Sequence, residues 1–234
     1  MLESLPVGEV SDGEARLPVQ LVIRPQGAVR PGADPDFRGY AGRLDSGVLR
    51  RGDEVQVLPS GRRTRVAGLW LGDRNIEEAT APQSVTVELD DDIDVSRGDV
   101  ISAVTAAPAL REFTATLTWL ADTPLRPGAR LLLKHGTRTV PVIIRALTGR
   151  LDLDALEQHP TDVLSLNDIG AVDLVVAEPL PVLPYAASRH GGAFLLLDPS
   201  DGNTLAASAF SEAGNGSSPA DNSVTGAGAV YVFV

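Results

Sequence analysis

The sequence predicts an all-β protein, two consecutive antiparallel β-barrels with one short helix and a flexible C-terminal tail. Three observations carry this: apolar residues recurring at every second position, turn residues at short intervals between those runs, and almost no helical periodicity. Alternation at a period of two puts the apolar side chains on one face of a pleated strand. It is cleanest at Phe113, Ala115, Leu117 and Trp119, interleaved with Thr114, Thr116 and Thr118, whose β-branched side chains also favour extended backbone. Val85, Val87 and Leu89 alternate in the same way with Thr86, Glu88 and Asp90. Further strands are expected at 19–24, 37–44, 54–58, 64–71, 130–134, 137–147, 172–177 and 193–198. Arg51-Gly52-Asp53, Pro59-Ser60-Gly61, Arg97-Gly98-Asp99 and Arg126-Pro127-Gly128 supply the tight reversals between them. The one helical candidate is 152–158, ended by His159-Pro160, because a proline drives the preceding residue out of the α region. Many short strands with regular turns indicate a sandwich or barrel, and closure into a barrel removes the sheet edges that invite aggregation.

At 234 residues and 24.5 kDa the chain has room for one large or two small domains. The Ala- and Pro-containing stretch 105–110 breaks the alternation and reads as a linker, dividing a barrel at 17–104 from a second at 111–210. Residues 211–234, rich in Gly, Ser and Asn, read as a tail. Asp221-Asn222-Ser223 and the run from Gly226 to Phe233 resemble a fragment of an FG-GAP repeat, and one such unit cannot bury its apolar face without neighbours.

Composition removes several function classes. Asp+Glu 31 against Lys+Arg 20 gives a net charge of −11, a field that repels nucleic acid and anionic membranes. The absence of cysteine excludes disulfide scaffolds, thiolate metal sites and thiol nucleophiles. No apolar run approaches the ~18 residues of a membrane span and no signal peptide precedes residue 10, so a cytoplasmic protein is expected.

The search for chemistry yields no catalytic, cofactor or metal residue to nominate. Pro59 to Thr64 lacks the spaced glycines and lysine of a phosphate loop. Asp90, Asp91, Asp92 and Asp94 could hold a hard cation, but alternate residues of an extended segment point to opposite faces, so a solvated acidic loop is expected. Asp198 to Asn203 reads as a hairpin turn. His135, His159 and His190 show no metal-type pairing and are expected in surface loops. Arg50, Arg51, Arg62, Arg63, Arg65 and Arg74 gather in the first unit and could face an acidic partner or RNA, although such arginines more often form a solvated face whose stems cover apolar surface.

The run from Phe37 to Val55, with Gly39, Gly42, Gly47 and Gly52 in the order Phe-Arg-Gly-Tyr-Ala-Gly then Asp-Ser-Gly-Val-Leu-Arg-Arg-Gly-Asp, resembles the second domain of translation-factor-type GTPases. In detail it is most similar to the large subunit of bacterial sulfate adenylyltransferase. Asp94 to Asp99, Trp119-Leu120, Pro124 to Gly128, Leu133 to Thr137 and Leu166 to Gly170 resemble the second and third domains of that family. The resemblance covers about residues 1–210 and departs from the family at Ala206 to Phe210, where a Gly-Met ending is usual.

That resemblance implies a GTPase that partners a small catalytic subunit to make adenylyl sulfate and pyrophosphate from ATP and sulfate. GTP with Mg²⁺ would sit on a GTP-binding domain and ATP on the partner subunit. Residues 1–16 resemble the exit from that domain, and its phosphate loop, switches and guanine-reading motif are not in this sequence. The expectation is therefore a non-catalytic two-barrel portion that docks a GTP-binding domain, the small subunit, or both. A free-standing tRNA-binding barrel module and an inactive truncated gene product are the alternatives.

Overall fold

A computed structural model of the chain describes residues 13–24 and 37–213. The FG-GAP-like tail and most of the segment at 1–16 lie outside the described residues.

The first unit is built from β1 (Arg16–Pro18), β2 (Leu21–Ile23), β3 (Gly39–Arg43), β4 (Val48–Arg50), β5 (Glu54–Leu58), β6 (Arg62–Leu71), β7 (Arg74–Ile76), β8 (Glu78–Thr80), β9 (Ser84–Leu89) and β10 (Val100–Ala103). Its main sheet runs β1-β10-β5-β6-β9-β3-β2, with β7 against β6 and a separate β4–β8 pair. The two outer strands of that order, β1 and β2, are consecutive pieces of one segment. Residues 16–23 therefore join both edges of a curled antiparallel sheet. Between the two pieces, Val19 N–H donates to Asp99 O (2.8 Å) and Gln20 N–H to Ala41 O (2.8 Å), so the joint is hydrogen-bonded to both sides. The single strand expected at 19–24 is thus two short ones flanking a step. Gly42 faces that step, where a Cβ would run into the Pro18 carbonyl oxygen.

The second unit comprises β11 (Leu110–Trp119), β12 (Arg130–His135), β13 (Arg138–Asp152), β14 (Glu157–His159), β15 (Ile169–Leu180), α1 (Arg189–Gly192), β16 (Ala193–Leu197) and β17 (Thr204–Ala213). Six strands follow each other as β12-β16-β17-β11-β15-β13, and pairing of β13 back onto β12 closes the ring. β17 pairs with both β11 and β16 through the Ala206–Phe210 region, so the family departure noted above still closes a barrel. The alternation that predicts β11 is the alternation that fills the interior: Phe113, Ala115, Leu117 and Trp119 are all buried. Phe113 meets Phe194 and Phe210 edge-on at 5.8 and 5.5 Å between ring centroids, the arrangement aromatic quadrupoles favour.

One expectation is corrected. Residues 152–158 are a hairpin tip, not a helix: β13 runs past the barrel to Asp152 and β14 returns along it with Arg150 opposite His159. The Asp152 carboxylate accepts the N–H groups of Asp154 (2.9 Å) and Ala155 (3.1 Å), and Leu156 takes a left-handed φ of 55°. Local side-chain bonding of this kind competes with helix formation, which is why Asp favours turns. The helical piece is instead α1, capped by Ser188, whose hydroxyl oxygen accepts the Gly191 N–H at 3.0 Å.

Candidate functional site

Register places Arg16 opposite Ser102 and Ser102 opposite Gln56, so three polar side chains stand in one row across β1, β10 and β5. Leu17, Ile101 and Val57 next to them point into the first core, and alternation assigns the polar row to the outer face. Yet Arg16 is 4%, Ser102 0% and Gln56 8% exposed. The second barrel meets Arg16, and the connection between the units lies over Gln56. The Arg16 guanidinium donates to the Pro181 carbonyl of the segment that follows β15. Gln56 Nε2 donates to Ala103 O and Ala106 O, both at 3.0 Å, and so holds the connection between the units against the sheet.

The β12–β13 hairpin supplies the rest of this seam. Arg138 donates through Nη1 to Asp99 Oδ1 of the first unit and through Nη2 to Glu178 Oε2 of the second, each at 2.6 Å. Thr137 Oγ1 donates to Val19 O at 3.4 Å. Gly98, at φ 95°, lies so close to Arg138 that a Cβ would touch its side chain at 3.0 Å. His135 is buried, and its Nε2 lies 3.0 Å from the Gly191 carbonyl. Burial pushes the His135 pKa down and the nearby Arg16 charge adds to this, against the Gly191 hydrogen bond, which raises it. Burial also lowers Arg16, opposed by Asp45, and raises Asp45, opposed by His190, Arg16 and Arg43. Two β-units are thereby locked by buried hydrogen bonds in an environment that penalises charge.

The residues singled out in the sequence are mostly separated by the fold. Pro59-Ser60-Gly61 is the β5–β6 turn, with Ser60 Oγ and Gly61 N–H both bonded to Val57 O. In the acidic run Ile93 and Val95 point into the core, while Asp92 pairs with Arg38 and Asp94 lies 3.8 Å from it. Asp198 and Asp201 accept their own loop N–H groups from Ser200 and Asn203. Among the described residues no group of three or more His, Asp or Glu is arranged to hold a metal ion.

The six arginines do not make one patch. Arg50 pairs with Glu78 (2.8 Å), Arg51 with Glu77 (3.6 Å) and Arg65 with Glu54 (2.6 Å). Arg62 and Arg63 start β6, and Arg74 stands beyond its other end, roughly 30 Å away at ~3.3 Å per residue. His159 and His190 are exposed as expected, but His135 is not: it is a seam residue. The sequence offers no signal for this, since Lys134-His135-Gly136 reads as an ordinary turn.

The family-like turn motifs have a common geometry. Gly52, Gly98 and Asn167 each take a left-handed φ, and the Asp that follows accepts an N–H from three residues before it: Arg50 for Asp53, Ser96 for Asp99 and Ser165 for Asp168. These glycines and aspartates shape turns; Asp99 alone is also used in the seam. Two surface clefts accompany the fold. One of about 280 Å³ is lined by Leu21, Ala41, Trp70 and Thr86, and one of about 310 Å³ between the units is lined by Pro59, Asp94, Asp99, Arg138 and Pro179.

A domain model described as GTP-eEF1A C-terminal domain-like matches residues 112–210. The chain is 40% identical over 214 residues to a bifunctional enzyme CysN/CysC of Mycobacterium tuberculosis, covering 90% of this chain and 34% of that one. It is 36% identical over 209 residues to sulfate adenylyltransferase subunit 1 of Alteromonas mediterranea, covering 88% of this chain and 43% of that one. It therefore spans about a third to two-fifths of these relatives. Among solved structures, Sup35 complexed with GMPPNP superposes with a TM-score of 0.76 at 17% identity, covering 89% of this chain and 49% of that one, which establishes a shared fold. Residues 112–210 thus match the eEF1A C-terminal-like domains, and the chain is homologous to the C-terminal region of sulfate adenylyltransferase subunit 1.

Proposed function

We propose that this chain is a non-catalytic platform of a sulfate adenylyltransferase, holding a GTP-binding domain, the small catalytic subunit, or both, in the complex that makes adenylyl sulfate in the cytoplasm. The observation that carries this reading is the seam. Bonds across the seam from Arg16 to Pro181 and from Arg138 to Asp99 fix two barrels in one orientation, which suits positioning of partners. In this reading GTP with Mg²⁺ is held by the GTP-binding domain and ATP by the small subunit, and the barrels touch neither. That no helix among the described residues is long and apolar enough to cross a membrane agrees with it.

The reading is tested by two titrations of the full chain. A fluorescent GTP analogue should show no saturable binding, and the small catalytic subunit from the same genome should bind with a defined stoichiometry. Tight nucleotide binding, or no interaction with either the small subunit or a separately supplied GTP-binding domain, overturns it. The tRNA-binding alternative loses its main support because Arg50, Arg51 and Arg65 are neutralised by neighbouring glutamates.

A further inference from the structure

The seam is polar where it crosses from one unit to the other. The two hydrophobic cores share no residue. Among the described residues the side-chain hydrogen bonds that cross are Arg16 to the Pro181 carbonyl, Arg138 to Asp99 and Thr137 to the Val19 carbonyl. The chain itself passes between the units at 104–109. Gln56 ties Ala106 to the first unit and Leu110 pairs with Leu180 in the second, which leaves 107–109 as the covalent joint. So short a segment serves as a hinge once the bonds across the seam are given up.

His135 ends β12 inside this interface and is buried. Among the described residues its ring makes one hydrogen bond, from Nε2 to the Gly191 carbonyl, which assigns the proton of the neutral ring to Nε2. A second proton goes to Nδ1, where no acceptor among the described residues meets it. The charges on the surrounding elements are mostly positive. Arg16 of β1 acts on the ring across the seam. Lys134 precedes it on β12, Arg189 and His190 lie on α1, and Arg138 stands opposite on β13, paired with Asp99 and Glu178. Asp45 is the counter-charge to Arg16, and His190 and Arg43 act on Asp45 in turn.

We propose that the seam is a pH-operated joint: uptake of a proton by His135 sets an imidazolium against the Arg16 guanidinium in the closed interface, and the two barrels, each still folded, swing apart about 107–109. Burial and the Arg16 charge hold the His135 pKa below 6.5 in the closed form, against the Gly191 hydrogen bond, whereas separation returns the ring to water. The open form therefore binds the proton more tightly, and its population grows as the pH drops below 6.5. Asp45 works against opening, because burial raises its pKa and its protonated form suits the closed seam, in the window above 3.8. The inference rests on the seam and needs no docking partner.

The chain has no cysteine, so Asp73→Cys in the first unit and Asp154→Cys in the second, both exposed, place one pH-insensitive dye on each barrel of the full chain. Energy transfer should fall reversibly by about a third or more from pH 7.5 to 5.5 while far-UV circular dichroism stays constant. The same chain carrying His135→Gln should keep its transfer. A second measurement leaves His135 in place: with His159→Gln and His190→Gln it is the one histidine remaining, and its ring-proton resonances should titrate below pH 6.5 together with the loss of transfer. Constant transfer in the chain with His135, an equal fall in the His135→Gln chain, a ring titration at a different pH from the opening, or loss of circular dichroism along with transfer would each overturn the joint. None of these outcomes bears on the platform reading, since no partner is present.

Discussion

At one end of the second barrel polar side chains are buried and bonded; at the other, leucines are exposed and carboxylates surround them. Both ends are made by the same six strands, so strand pairing does not set the difference. What differs is what each end meets. Arg16 is held by a carbonyl of the second unit, Pro181, Arg138 by a carboxylate of the first, Asp99, and Gln56 by carbonyls of β10 and the connection, partners that offset the burial of polar groups. The distal leucines Leu153 and Leu156 stand more than half exposed. The contrast makes a mutational rule: substitutions at the seam should cost stability, and substitutions at the distal end should cost little.

The largest effect should come from Arg16→Ala, which leaves the Pro181 carbonyl unpaired in the seam and opens a void beside it. A loss of about 2–3 kcal/mol is expected, read by chemical denaturation. A loss below half of that would mean the barrels are not joined through this row. Next is Arg138→Ala, which removes the bonds to Asp99 and Glu178; because the guanidinium is partly solvated, about 1 kcal/mol is expected.

The third prediction concerns pH. His135 has a folded pKa below its usual 6.5, so on acidification the unfolded chain takes up its proton first and the folded state loses stability as the pH drops below 6.5. Asp45 works in the opposite sense. Its raised folded pKa means the folded state holds the proton longer, and stability falls as pH rises through the window above 3.8. Wild type should therefore lose more melting temperature between pH 7.5 and 5.5 than a His135→Gln variant; equal losses would show that His135 is not held neutral. The smallest effect on stability is at the hairpin: Leu153→Ser should change it by no more than about 0.5 kcal/mol, as for surface substitutions generally.

The two regions also differ in how far the sequence reveals them. Period-two patterning identifies β6, β9, β11, β12, β13 and β16 within a few residues, because each has one core face and one wetter face. Where both faces are covered the pattern weakens: β5 is legible between its two glycine turns although Val55 to Leu58 are all buried. β10 is not recognisable, since Val100, Ile101 and Ser102 are buried in succession. β17 is hidden by four alanines and two serines, weak strand formers of which Ala206 and Ser208 fit the barrel interior. The seam could not be read at all: Arg16, Asp99 and Arg138 are 39 to 122 positions apart, and nothing local tells a buried arginine from a solvated one. The hairpin tip was misread because Asp152 to Gln158 lacks glycine and proline, the residues that usually announce a turn.

Amide hydrogen exchange on the full chain separates the two ends most directly. The backbone around Arg16, Ser102 and His135 is expected to be strongly protected, while 153–156 at the hairpin tip exchanges fast. Fast exchange at Arg16, Ser102 and His135, as at the hairpin tip, would contradict a seam that locks the two units.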